Sequence, residues 1–166
     1  MRPILNPSEH VSNAHRLLGG WRDVLDDIHA LCQTFEALPD VCECGHGEPH
    51  LVSDCPCCAT TAGAFVPSCA DCDAKLNALR PTIDALTVDV FRFFPVVKEW
   101  MARRSPDANR RLADITAANS RLTSSFESLV MAQGQFRTKC RASHLKTLKS
   151  AAGTLLRDAD QLTRLV

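Results

Sequence analysis

Cys42, Cys44, Cys55, Cys57, Cys58, Cys69 and Cys72 gather seven of the chain's nine cysteines into one short stretch, interleaved with His46 and His50. Thiolates and imidazoles at this density are ligands for a soft or borderline cation, and zinc suits a mixed sulfur–nitrogen shell. Iron is less favoured, because histidines accompany the thiolates and no iron–sulfur spacing fits. A disulfide framework is the rival reading. Residues 1–7 lack the apolar stretch of a signal peptide, so a cytoplasmic location is expected, where thiols stay reduced and ligate metal.

Cys55-Pro56-Cys57-Cys58, followed after ten residues by Cys69-Ala70-Asp71-Cys72, resembles the paired knuckles of zinc ribbons and rubredoxin-type sites. The resemblance is confined to residues 55–72. It implies Cys55, Cys58, Cys69 and Cys72 as the four ligands of one closed tetrahedral site, with 60–67 as the hairpin that brings the second pair opposite the first. Cys42, Cys44 and His46, with Cys57 or His50, then make a candidate second site. Two zinc ions are expected, with other partitions open, including a thiolate that bridges two metals. Such an ion would replace the core that this Gly/Pro-containing segment lacks, so that metal binding supplies folding energy. Glu43, Glu48 and Asp54 lie close enough in sequence to act as bases, but a thiolate-rich shell is a poor Lewis acid, which argues against catalysis. Thiol redox sensing is a further alternative.

Helices must position this segment. Apolar residues Val11, Ala14, Leu18, Trp21, Leu25, Ile28, Cys32 and Phe35 alternate steps of three and four, and Leu17, Val24, Leu31 and Leu38 widen the stripe into a core-facing surface. Gly19-Gly20 within it would let a neighbour approach closely. Leu76, Leu79, Ile83, Leu86, Val90, Phe93, Val97 and Trp100 form a second stripe, in which Pro81 and Pro95 should kink or restart the helix. Ser105-Pro106 reads as the start of a third, with Ser105 as N-cap. That third stripe runs Leu112, Ile115, Asn119, Leu122, Phe126, Leu129 and Gln133, its two polar members marking a register contact or a wetter spot. Leu145, Leu148, Ala152, Leu155, Ala159, Leu162 and Val166 form the last, out of phase with the third, so the chain should turn near Gly134. Helices of about 30 residues, about 45 Å each, predict an all-α, up-down-up-down four-helix bundle with a small zinc-knuckle insertion between helices 1 and 2. The 166 residues read as one domain, with 39–72 an embedded metal-binding subdomain.

Lys plus Arg and Asp plus Glu both number 19, so no global field recruits nucleic acid or an anionic membrane. A local patch is another matter. Arg137, Lys139, Arg141, Lys146 and Lys149 carry no acid among them, and antiparallel topology should place them beside the knuckles as a candidate anion-binding surface. Tyr is absent from the chain, which removes the stacking platform expected for single strands. Of the remaining residues, Asp26-x-x-His29 occurs once without the second copy a diiron bundle needs, and His10 and His15 share no face. Cys32 fits the core, whereas Cys140 lies between Lys139 and Arg141, whose charge would lower its pKa. The expected role is a non-enzymatic interaction or regulatory module with a protein partner or self-association. A nucleic-acid-associated regulator is the alternative, and a metalloenzyme the next.

Overall fold

The computed structural model describes the backbone of residues 7–45, 47–58, 67–102 and 106–165, with side chains over 20–88 and 113–165 inside those limits. Helices α1 (Pro7–Glu36), α2 (Cys69–Ala102), α3 (Pro106–Thr138) and α4 (Ala142–Leu165) carry the chain. Between α1 and α2 lie two short strands, β1 (Val41–Cys42) and β2 (His50–Leu51), and a single 3-10 turn at Val52–Asp54. The expected architecture of four helices with an insertion after the first is the one adopted. The N-cap Ser105, His46 and most of the hairpin at 60–67 lie outside the described residues, as do the side chains of His10 and His15.

The apolar stripes become the core. Trp21, Leu25, Ile28, Cys32 and Phe35 of α1 are buried, as are Leu76, Leu79 and Ile83 of α2. So are Ile115, Leu122, Phe126 and Leu129 of α3, and Leu145, Leu148, Leu155 and Leu162 of α4. Each fully buried Leu or Phe contributes about 1.5–3 kcal/mol, against about 0–1 kcal/mol for a surface ion pair. The stripes therefore hold the bundle, and the polar contacts set its register.

Those contacts run antiparallel. Lys75 Nζ donates to Thr34 Oγ1 at 3.1 Å, while Gly20 lies opposite Leu86. Arg137 pairs with Asp73, Arg80 with Glu127 at 2.9 Å, and the Thr87 and Thr123 hydroxyls meet at 3.3 Å. His29 Nε2 stands 3.0 Å from Asp160 Oδ1, and Ser125 donates to Asp158. α1 thus packs on α2 and α4, and α3 on the same two, closing a ring of four. At Gly20 a Cβ would come within 3.1 Å of Leu86 Cδ2, so the small residue does permit a close approach.

One detail differs from the sequence expectation, and of the two outcomes expected at the prolines, a kink or a restart, the restart is excluded. α3 passes through Gly134 and ends at Thr138, with the turn at 139–141. The buried face explains this: it runs on from Leu129 through Ala132 and Gln133 to Phe136. The Lys139 carbonyl, 2.8 Å from His144 Nδ1, is satisfied where the chain reverses. Nor do Pro81 and Pro95 restart α2, which is continuous across both. Pro81 is exposed, and so is Asn77, whose carbonyl it leaves without a helical donor, so the missing hydrogen bond falls on the solvent side of α2.

The two polar residues on the α3 stripe separate. Gln133 Nε2 donates to the Cys69 carbonyl at 3.1 Å, tying α3 to the first residue of α2, and only its Oε1 is buried without a partner. Asn119 is fully buried, and neither its Oδ1 nor its Nδ2 has a partner. Replacing an unpaired buried amide by an apolar group of similar volume removes a desolvation penalty, whereas breaking a paired one creates it. Asn119→Leu should raise unfolding stability by about 1–2 kcal/mol, and Gln133→Leu should lower it by about 1 kcal/mol, in urea denaturation. Equal effects of the two would contradict this reading.

Candidate metal centre

The last buried residue of the α1 stripe, Leu38, offers its carbonyl to Lys149 Nζ at 2.7 Å, which closes the C-terminus of α1 with a cation. The chain then enters β1. The Val52 amide donates to the Asp40 carbonyl at 2.8 Å, and the strands pair antiparallel with Val41 opposite Leu51 and Cys42 opposite His50. A hairpin of two-residue strands does not stand alone in water. Here side chains alternate: Leu51 is buried in the bundle core with Val41 packed against it, which leaves Cys42 and His50 to share the opposite face. Gly45 and Gly47 have φ of +82° and +85°, values that L side chains rarely adopt, and permit the reversal that carries Cys44. Beyond β2, the Cys55 amide donates to Val52 O and the Cys58 amide to Cys55 O, both at 3.2 Å. Two tight turns in succession return Cys55 to the hairpin.

The outcome is a group of four donors. The ligand atoms of Cys42, Cys44, His50 and Cys55 all lie within 4.8 Å of one another, with Cys44 Sγ and Cys55 Sγ 3.4 Å apart. Zinc–sulfur bonds of about 2.3 Å in a tetrahedron put ligand sulfurs about 3.8 Å apart, so the cluster is nearly the right size for one ion. His50 supplies the sharpest sign. Its Nδ1 is 2.8 Å from the Glu48 carbonyl, which fixes that nitrogen as the donor. In the neutral ring Nε2 is then the lone-pair nitrogen, and it is buried beside the Cys55 thiol without a hydrogen bond of ordinary geometry. A cation among the three sulfurs would give it a partner. The neighbouring His50 imidazole first, against the opposing effect of burial, and then the Cys44 thiol and the Cys57 amide draw the Cys55 thiol down to about 5, the direction a ligating thiolate needs. The Glu48 carbonyl and then Cys55 raise the His50 imidazole in turn.

This set mixes the two halves expected from sequence, because Cys55 joins Cys42, Cys44 and His50. Cys58 stands at the edge, half-buried, its Sγ 3.5 Å from Cys42 Sγ, while Cys57 is exposed on the turn. Cys69 and Cys72 fall outside the group. Ser68 caps α2, accepting from the Asp71 amide at 3.2 Å while the Asp71 carboxylate accepts from the Ser68 amide at 3.1 Å and its hydroxyl at 2.9 Å. That cap starts the helix at Cys69 and turns Cys72 into the core, where burial pushes its thiol up to about 12. A thiol so held is a small apolar side chain. Cys32 is the same, fully buried and likewise pushed up to about 12. Cys140 is raised, by burial and then by Cys69 and Asp54, so flanking Lys139 and Arg141 do not activate it.

The cross-strand partnership of Cys42 and His50 was legible in one signal, the mirrored pairs Val41-Cys42 and His50-Leu51, each joining an apolar residue to a donor. As to the basic run, Arg137 is engaged by Asp73 and Lys149 by the Leu38 carbonyl, while Lys139, Arg141 and Lys146 are exposed. His50, Leu51 and Asp54 do line one groove with Phe136, Arg137 and Cys140, so the two connections share an end of the bundle. None of the described helices is long and apolar enough to cross a membrane. Comparison with known families, curated proteins and solved structures found no match.

Ion counting by native mass spectrometry discriminates the observed donor set from the 55–72 arrangement. Cys55→Ala and His50→Ala should each lose stoichiometric zinc, whereas Cys69→Ala and Cys72→Ala should keep it. Loss of the ion in Cys69→Ala with retention in His50→Ala would restore the ribbon arrangement.

Proposed function

We propose that the chain is a zinc-binding helical bundle whose metal is structural and which acts as a non-enzymatic interaction or regulatory module. The observation that carries this reading is the convergence of three thiol sulfurs on a buried imidazole nitrogen that makes no hydrogen bond of ordinary geometry. Three thiolates and one imidazole complete a tetrahedron, leaving no position for the water that a hydrolytic zinc needs. The donors accommodate one ion. A second would have to draw on Cys57, Cys58 and His46.

In this reading the ion's task is local. Among the described residues of 41–58, Cys42, Leu51 and Cys55 are buried and Val41 is half-buried, too few apolar and thiol side chains to fix the hairpin and both turns. Once fixed, the segment forms one wall of a groove of about 350 Å³, whose other walls are the start of α2 and the end of α3. Leu51 and Phe136 give that groove an apolar floor, and Asp54 and Arg137 give it charge of both signs. A protein segment of mixed apolar and polar character suits it better than nucleic acid does. An anionic partner would rely on the exposed Lys139, Arg141 and Lys146 at the same end.

Chelation tests the reading. Stripping zinc from the reduced protein should raise amide exchange across 41–58 at least tenfold, to order of magnitude, while most far-UV circular dichroism persists because the four stripes pack without the metal. Unchanged exchange in that segment would remove the structural role, and global unfolding would show that the bundle depends on the ion. For the anionic alternative, Lys139→Ala with Arg141→Ala and Lys146→Ala should leave a steep salt dependence of oligonucleotide binding intact only if no contact is made there.

A further inference from the structure

The four-donor set is complete without Cys58, yet Cys58 Sγ sits 3.5 Å from the Sγ of the ligand Cys42. The two come from segments sixteen residues apart in sequence, one on β1 and the other closing the turn after Cys55. They differ in access. Cys42 is only 5% exposed, whereas Cys58 is half-buried at the rim and reachable from solvent. A surplus thiol held in contact with a metal-bound thiolate is the arrangement that thiol–disulfide chemistry requires.

We propose that Cys58 and Cys42 form an oxidative release switch, in which a peroxide converts the pair to a disulfide and so ejects the cation. The proposal rests on the reading of the cluster as a metal centre. Cys58 loses its proton and its sulfur attacks one peroxide oxygen; the O–O bond breaks, the departing hydroxide takes up that proton and leaves as water, and the sulfur is oxidised to a sulfenic acid. The Cys42 thiolate, kept deprotonated by the cation, then attacks the Cys58 sulfur. The S–S bond forms, the S–O bond breaks, and hydroxide departs. One thiol, one thiolate and one hydrogen peroxide become a disulfide, a water and a hydroxide, with two electrons passing from sulfur to oxygen. Cys42 can no longer ligate, and three donors remain for the ion. The order follows from access: the half-buried partner at the rim meets the oxidant, and the buried one needs only to meet its neighbour. Because Cys42 lies opposite His50 in the β ladder, the loss falls at the centre of the hairpin that the metal holds.

The experiment uses the full-length, zinc-loaded chain. Ions per chain are first counted in the reduced wild type and in Cys58→Ser; hydrogen peroxide is then added while a chromogenic chelator reports zinc, and disulfides are mapped by peptide mass. Both proteins should start with one ion per chain. Wild type should release it with a Cys42–Cys58 linkage, reversed by dithiothreitol and added zinc, and Cys58→Ser should release it about tenfold more slowly, to order of magnitude. Equal release rates overturn the switch, and so does a linkage that omits Cys58. Absence of zinc from Cys58→Ser alone also overturns it, by making Cys58 a ligand while leaving the metal centre standing. Absence of zinc from the reduced wild type defeats the metal centre itself.

Discussion

The insertion end of this molecule brings a set of polar donors together with little apolar surface beyond Leu51 and Val41 to hold them. Three sulfurs and an imidazole nitrogen occupy one small volume, and their unperturbed chemistry would push them apart once the thiols ionise. A divalent cation held there would reverse that sign. It would turn mutual repulsion into four bonds, and it would give His50 Nε2, which is buried, the contact that burial demands. Without such a centre the conformation of the hairpin has little else to recommend it, since each strand has two residues and each turn contributes a single backbone hydrogen bond.

The bundle supplies the other half of the construction. It anchors one face of the hairpin through Leu51 and Val41, and it ends α1 at the right place through the Lys149 contact with the Leu38 carbonyl. Gln133 fixes where α2 begins, and the Ser68–Asp71 cap sets its phase so that Cys72 enters the core. The same features that look like ligand chemistry or a basic surface in the sequence thus serve the architecture. Cys69, Cys72, Arg137 and Lys149 all have structural partners or surroundings in α2, α3 or α1.

The helical frame was legible because it obeys a periodic rule. Every seam residue from Trp21 to Phe35, and from Leu145 to Leu162, reached the core as its spacing required. Local rules failed where the surroundings outweighed them: Gly134 remained helical because Phe136 continues the buried face, and Pro81 remained helical on the exposed side of α2. The donor set was legible in kind and not in partition. Residue spacing shows that Cys55 and Cys58 are close to each other, but it carries no information on which of two distant halves folds back on Cys55. The β pairing of Cys42 with His50, and the N-cap at Ser68 beyond the last turn, bring Cys55 to the hairpin and leave Cys69 and Cys72 outside it.

Zinc K-edge X-ray absorption on the reduced, full-length protein is the most direct test of the centre. The account requires a four-coordinate shell of three sulfurs at about 2.3 Å and one imidazole nitrogen at about 2.0 Å. A shell dominated by oxygen, or sulfur coordination without any imidazole, would contradict it.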